Sequence, residues 1–106
     1  MTTATMADER ILTLHPEGKQ GVRIDRRKYE GMKRAILKVT PRRAPGVRYT
    51  ELRQLVRAHL PETVYTPDVS ISWYLTTVKL DLEARRLIAR VPGSGPQRLV
   101  RTGARR

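Results

Sequence analysis

The chain has no cysteine and no phenylalanine, a single tryptophan, and only 10 acidic residues among 106. Without cysteine there is no disulfide scaffold, no thiolate zinc site and no thiol nucleophile, which fits a reducing, cytoplasmic setting. Without phenylalanine, the core has to rest on Leu, Ile, Val, Met and a few of the four tyrosines. No apolar run approaches the roughly 20 residues that span a bilayer, and Met1 to Arg10 lacks the basic and apolar regions of a secretory signal. No membrane partner is therefore expected. His15 and His59 stand far apart with no carboxylate at ligand spacing, so neither is read as a metal ligand. Gly93-Ser94-Gly95 has neither a following helix nor a phosphate-loop lysine. Nothing assembles into a catalytic set, and the sequence identifies no enzyme, cofactor or small-molecule substrate.

What is abundant is positive charge: 22 Lys and Arg give a net +12. A field of that size attracts polyanions, nucleic acid foremost. Its distribution is uneven. Lys19 to Arg53 carries twelve basic residues against Asp25, Glu30 and Glu51, a local +9. Arg85 to Arg106 carries seven and no acid, whereas Asp68 to Ala84 has Lys79 alone against Asp68, Asp81 and Glu83, a local −2.

The length fits one domain. Residues 1–10 read as a disordered N-terminus, 11–102 as the folded domain and 103–106 as a basic tail. Ile11 to Leu14 and Val22 to Ile24 flank a turn-rich stretch and predict an N-terminal hairpin. Asp25 is a good N-cap for a first helix that runs to about Val39, with Tyr29, Met32, Ile36 and Val39 in one apolar stripe and Pro41 as the stop. A second helix starts near Thr50, buries Leu52, Leu55, Val56 and Leu60, and ends at Pro61. The third begins between Asp68 and Ser72 and reaches about Arg86. Two β-prone runs around Pro92-Gly93-Ser94-Gly95-Pro96 predict a second hairpin.

Hairpin, three helices and hairpin is an α+β order, and its last four elements read as a winged helix-turn-helix. The segment Val78-Lys79-Leu80-Asp81-Leu82-Glu83-Ala84-Arg85-Arg86-Leu87-Ile88 resembles the leucine-glutamate…glycine-leucine-isoleucine exit from recognition helix to wing in many bacterial regulators. Arg86 stands where that pattern has glycine, which tolerates a left-handed turn far better. From Ile11 to about Arg90 the chain also resembles a small family of uncharacterised bacterial winged-helix-like proteins. Ile24-Asp25, Leu60-Pro61 and Trp73-Tyr74 ahead of Thr77-Val78-Lys79-Leu80-Asp81-Leu82-Glu83 carry that resemblance, which implies a fold and no activity.

Placed at about 100° per residue around Val78, the third helix turns Ile71, Tyr74, Leu75, Leu82 and Arg85 to the core. Ser72, Trp73, Thr76, Leu80 and Glu83 point outward, with Lys79 at the margin. That is a poor face for reading bases, because Glu83 repels phosphate and Trp73 and Leu80 form an apolar stripe. Three readings of the stripe stand open: core beneath the N-terminal hairpin, a protein or homodimer interface through Trp73, Thr76 and Leu80, or insertion into a DNA groove. The expected nucleic-acid contacts lie elsewhere. Arg90, Arg98 and Arg101 sit on the wing with Arg105-Arg106 beyond it, Arg26 and Arg27 on the first helix, Arg42 and Arg43 in the loop after it, and Lys79 is the one cation between Asp68 and Ala84.

Overall fold

The computed structural model describes residues 9–93 and 95–103. Most of the expected N-terminal segment (1–8), the tail arginines Arg105 and Arg106, and Ser94 in the expected wing turn lie outside the described residues. Three helices and two small antiparallel sheets make up the domain, an α+β arrangement compatible with a winged helix.

Strand β1 (Arg10–Leu12) pairs with β2 (Arg23–Asp25), Ile11 opposite Ile24. The ladder starts at Arg10, one residue before the expected boundary, because Arg26 ties down the preceding residue. Its backbone N–H donates to the Glu9 carbonyl at 3.0 Å, and its guanidinium pairs with the Glu9 carboxylate.

Helix α1 (Arg26–Val39) has the expected cap, with the Asp25 carboxylate accepting from the Arg27 N–H at 2.7 Å. Its buried stripe is Tyr29, Met32, Ala35 and Ile36. Pro41 disfavours a helical Thr40, which turns extended (ψ 118°) and caps the helix through its N–H and hydroxyl, both donating to the Ile36 carbonyl.

A two-residue strand, β3 (Val47–Arg48), follows and was not expected. It leads directly into α2 (Tyr49–Arg57), which stops before the expected limit at Leu60. Residues 58–60 close in a tighter turn, with His59 N–H donating to the Val56 carbonyl at 2.8 Å, and that turn still delivers Leu60 to the core. Leu55, expected inside, is 42% exposed, since a short helix buries only the Leu52–Val56 edge.

Helix α3 (Ile71–Ala84) is capped by the Ser70 hydroxyl, which accepts from the Trp73 N–H at 3.1 Å. It ends in a Schellman motif: Leu87 N–H donates to the Leu82 carbonyl and Arg86 N–H to that of Glu83. The left-handed residue of that motif is Arg86, at φ 65°, the position where glycine is the easier choice.

Strands β4 (Ile88–Arg90) and β5 (Arg98–Arg101) form the second hairpin. β3 joins it on the far side of β5, giving the order β3-β5-β4 with Val47 opposite Leu99 and Arg48 opposite Arg98. Gly46 permits this pairing. Its φ is +81°, and a Cβ there would stand 2.4 Å from the Leu99 carbonyl oxygen. The core fills the space among the helices and the sheet, with Met32, Ile36, Leu52, Val56, Val78, Leu82, Ile88 and Leu99 at its centre. Among the described residues no helix is long and apolar enough to cross a membrane.

Candidate nucleic-acid interface

The charged side chains of α3 are directed inward. Asp81 is fully buried, and its carboxylate accepts from three elements at once: the Leu14 N–H at 2.9 Å, the Tyr29 hydroxyl at 2.5 Å and the Arg85 guanidinium at 2.9–3.0 Å. A buried carboxylate persists only when paired and hydrogen-bonded in this way. Burial, then the bond to Asp81, pushes the Tyr29 phenol well above its ordinary pKa, and the same carboxylate raises Arg85.

Lys79 lies on the other side of α3. It was expected at the outward margin as a nucleic-acid contact, and it is instead 4% exposed. Its ammonium sits 2.7 Å from the Glu83 carboxylate and 4.9 Å from the centre of the Tyr49 ring. Glu83 is thereby neutralised rather than displayed, so the expected repulsion of phosphate by this residue does not apply. The helical-wheel placement erred because α3 packs against α1, α2 and β4 together, whereas a single-stripe reading assumes one buried side. Arg85, expected to face the core, reaches back along the helix to Asp81 with its side chain 37% exposed.

The outward stripe of α3 is partly covered by the N-terminal hairpin. Thr13, Leu14, Gln20 and Val22 close over Thr77 and Leu80, leaving an open crevice of about 210 Å³. Leu80 is half-buried, Thr76 shares a 2.6 Å hydrogen bond with the Tyr49 hydroxyl, and Trp73 remains 46% exposed.

Several cations share the outer side of α1. Arg34 and Lys38 lie four residues apart on its outer side, with Arg27 seven residues before Arg34, so the three share one helix face. Arg101 reaches this face from β5 and donates to the Leu37 carbonyl at 3.3 Å, satisfying a terminal carbonyl of the helix. His59, from the turn after α2, closes the other side. Together Arg34, Lys38, His59 and Arg101, with Ala35 and Leu37 as the floor, line an open cleft of about 550 Å³ that contains no carboxylate. Arg42 stands beside it, because the loop after α1 is tied to β5 by Arg101 N–H donating to the Pro41 carbonyl at 2.8 Å. The Arg42 guanidinium in turn donates to the Gly103 carbonyl.

The cations expected as contacts from the sequence are thus divided. Arg101 lines the α1 cleft, and Arg42 lies in the loop tied to β5, with its guanidinium on the Gly103 carbonyl. Arg27 is exposed on the same helix with Asp25 3.7 Å away, and Arg26 is engaged by Glu9. Arg43 and Arg90 are exposed, Arg98 lies on the other side of the sheet, and Lys79 is withdrawn from the surface. Arg34, Lys38 and His59 were missed as site residues. The seven-and-four spacing of Arg27, Arg34 and Lys38 was the available signal. Nothing local pointed to His59.

Among the described residues no group of three or more His, Asp or Glu could hold a metal ion. Residues 10–99 match a family of unknown function, DUF6958. The chain belongs to that family. No curated protein and no solved structure matches it.

Proposed function

We propose that this member of DUF6958 is a small winged-helix protein that binds nucleic acid through its phosphate backbone, with the α1 cleft as the principal seat. The observation that carries this reading is the convergence of Arg34, Lys38, His59 and Arg101 from three elements on one cleft without an acid. Three cationic side chains, Arg34, Lys38 and Arg101, held together repel one another, and a phosphate between them removes that repulsion while gaining charge-assisted hydrogen bonds. The rigid helix and the strand that carry them fix their spacing, as a positioning contact requires. Base reading by α3 has no support from the side chains it displays, so the binding is non-specific or semi-specific.

Fluorescence anisotropy with a short duplex at about 50 and 200 mM salt tests the reading, because each neutralised phosphate contributes about −0.9 to the slope of log affinity against log salt. Arg34→Ala with Lys38→Ala is expected to lower affinity roughly tenfold, about 1.4 kcal/mol, and to flatten the slope by about 1.8. No binding by the parent chain at low salt sinks the idea.

A second reading, self-association, is supported by the half-exposed Trp73 standing beside Leu14 and Val22, which are 43% and 42% exposed. Light scattering on the parent chain and on Trp73→Glu separates it: a dimer abolished by the substitution favours this reading, and a monomer in both removes it.

A further inference from the structure

The sheet carries a like-charge pair that the α1 cleft does not use. Val47 and Leu99 are register partners with buried side chains, so the next partners, Arg48 and Arg98, project from the opposite face of the sheet. Partners of this kind stand about 4.5–5.5 Å apart at Cβ, and like charges placed there destabilise the pairing. Neither arginine has an ion pair among the described residues. The Glu51 carboxylate accepts from the Arg48 backbone N–H at 3.4 Å and is in no ion pair with either guanidinium. No acidic residue follows Glu83, so β4 and β5 bring no counter-charge.

Arg101 goes the other way. It is the partner of buried Ile88, shares the core-facing side with Leu99, and ends in the α1 cleft. One four-residue strand therefore sends Arg98 to one side of the sheet and Arg101 to the other.

We propose that the Arg48–Arg98 face is a second seat for a duplex phosphate backbone, so that one molecule holds two DNA segments, one on each side of the sheet. The proposal rests on the reading of the α1 cleft as the first seat. Two arginines that share one sheet face as register partners, neither of them in an ion pair, complement a phosphate by charge and by their donors. The α1 cleft lies across the sheet, so a duplex engaged there leaves this face free for a second.

The test uses a biotin-tagged short duplex on beads, a second fluorescent duplex of the same length, and the full chain at about 50 mM salt. The parent chain is expected to retain the fluorescent duplex on the beads. Arg48→Ala with Arg98→Ala is expected to keep single-duplex binding by anisotropy and to lose the retention, whereas Arg48→Lys with Arg98→Lys keeps both. Arg48→Glu, at an exposed position, is the second variant should the alanine pair unfold, and it is expected to lose retention as well. A parent chain that binds one duplex and retains no second overturns the bridging while leaving the cleft reading intact. A chain that binds no duplex overturns both. Retention undiminished in the alanine pair or in Arg48→Glu overturns this face as the seat and assigns bridging to paired copies of the chain.

Discussion

Helix α1 and helix α3 have the same length, 14 residues, and use charge in opposite ways. The charges of α3 are internal fittings: Asp81 anchors a hairpin, a tyrosine and an arginine, and Lys79 and Glu83 neutralise each other against Tyr49. On α1, Arg34 and Lys38 make no ion pair among the described residues and line an open cleft. A count of charges along the chain treats both alike. What separates them is how much of each helix is covered, so the helix with the fewest cations is held by its charges, and the helix with many leaves Arg34 and Lys38 open to solvent.

The largest expected effect breaks the internal half of that comparison. Asp81→Ala leaves the Leu14 N–H, the Tyr29 hydroxyl and the Arg85 guanidinium without their acceptor, and about 3–5 kcal/mol of stability should be lost in urea unfolding. A loss below about 1 kcal/mol would mean that Asp81 does not tie these elements together.

Alkaline pH attacks the same junction more gently. Tyr29 and Tyr65 are both buried and have phenol pKa values raised above the ordinary 10, by burial first in each case. A raised folded-state pKa means the folded protein holds the proton more tightly. That contribution is complete below about pH 10 and fades as pH climbs toward the folded values, by at most about 1.4 kcal/mol per tyrosine for each pH unit. Unfolding midpoints falling from about pH 10 upward, with tyrosinate absorbance appearing only on unfolding, are the expected result.

Smaller still is Arg86→Gly. Removing the Cβ from a residue at φ 65° should stabilise the chain by about 0.5–1 kcal/mol, with the Schellman hydrogen bonds retained. A destabilised variant in thermal unfolding would show that the arginine side chain contributes more than its backbone strain costs. The smallest effect sharpens the other half: the Arg34→Ala, Lys38→Ala pair, proposed to weaken duplex binding, should change stability by less than about 0.5 kcal/mol.

The sequence was most legible where a local rule acts alone. Asp25 and Pro41 bracket α1 to within a residue, and the Tyr29–Met32–Ile36 spacing marks its buried side. β3 was invisible because two residues show no alternation, and Val47 pairs with Leu99 across 52 positions. α3 was misread because a helix covered on several sides has no single stripe, and polar residues such as Asp81 and Lys79 can be buried where partners from other elements meet them. The candidate cleft was legible only in part. Arg34 and Lys38 share a helix face by spacing, yet a solvated face has the same pattern, and the decisive partners, His59 and Arg101, arrive through tertiary packing.

The bond from Leu14 to Asp81 also orders events in time. The hairpin's acceptor is synthesised 67 residues after its donor, an interval of roughly 3–13 s at ordinary translation speeds. Throughout it Leu12, Leu14 and Val22 lack the α3 face they border, the hairpin can rest only on α1, and a two-stranded hairpin is by itself at best marginally stable in water. The N-terminal hairpin is thus a late-docking element of the nascent chain, and this delay is its period of greatest exposure to proteases and to chaperones.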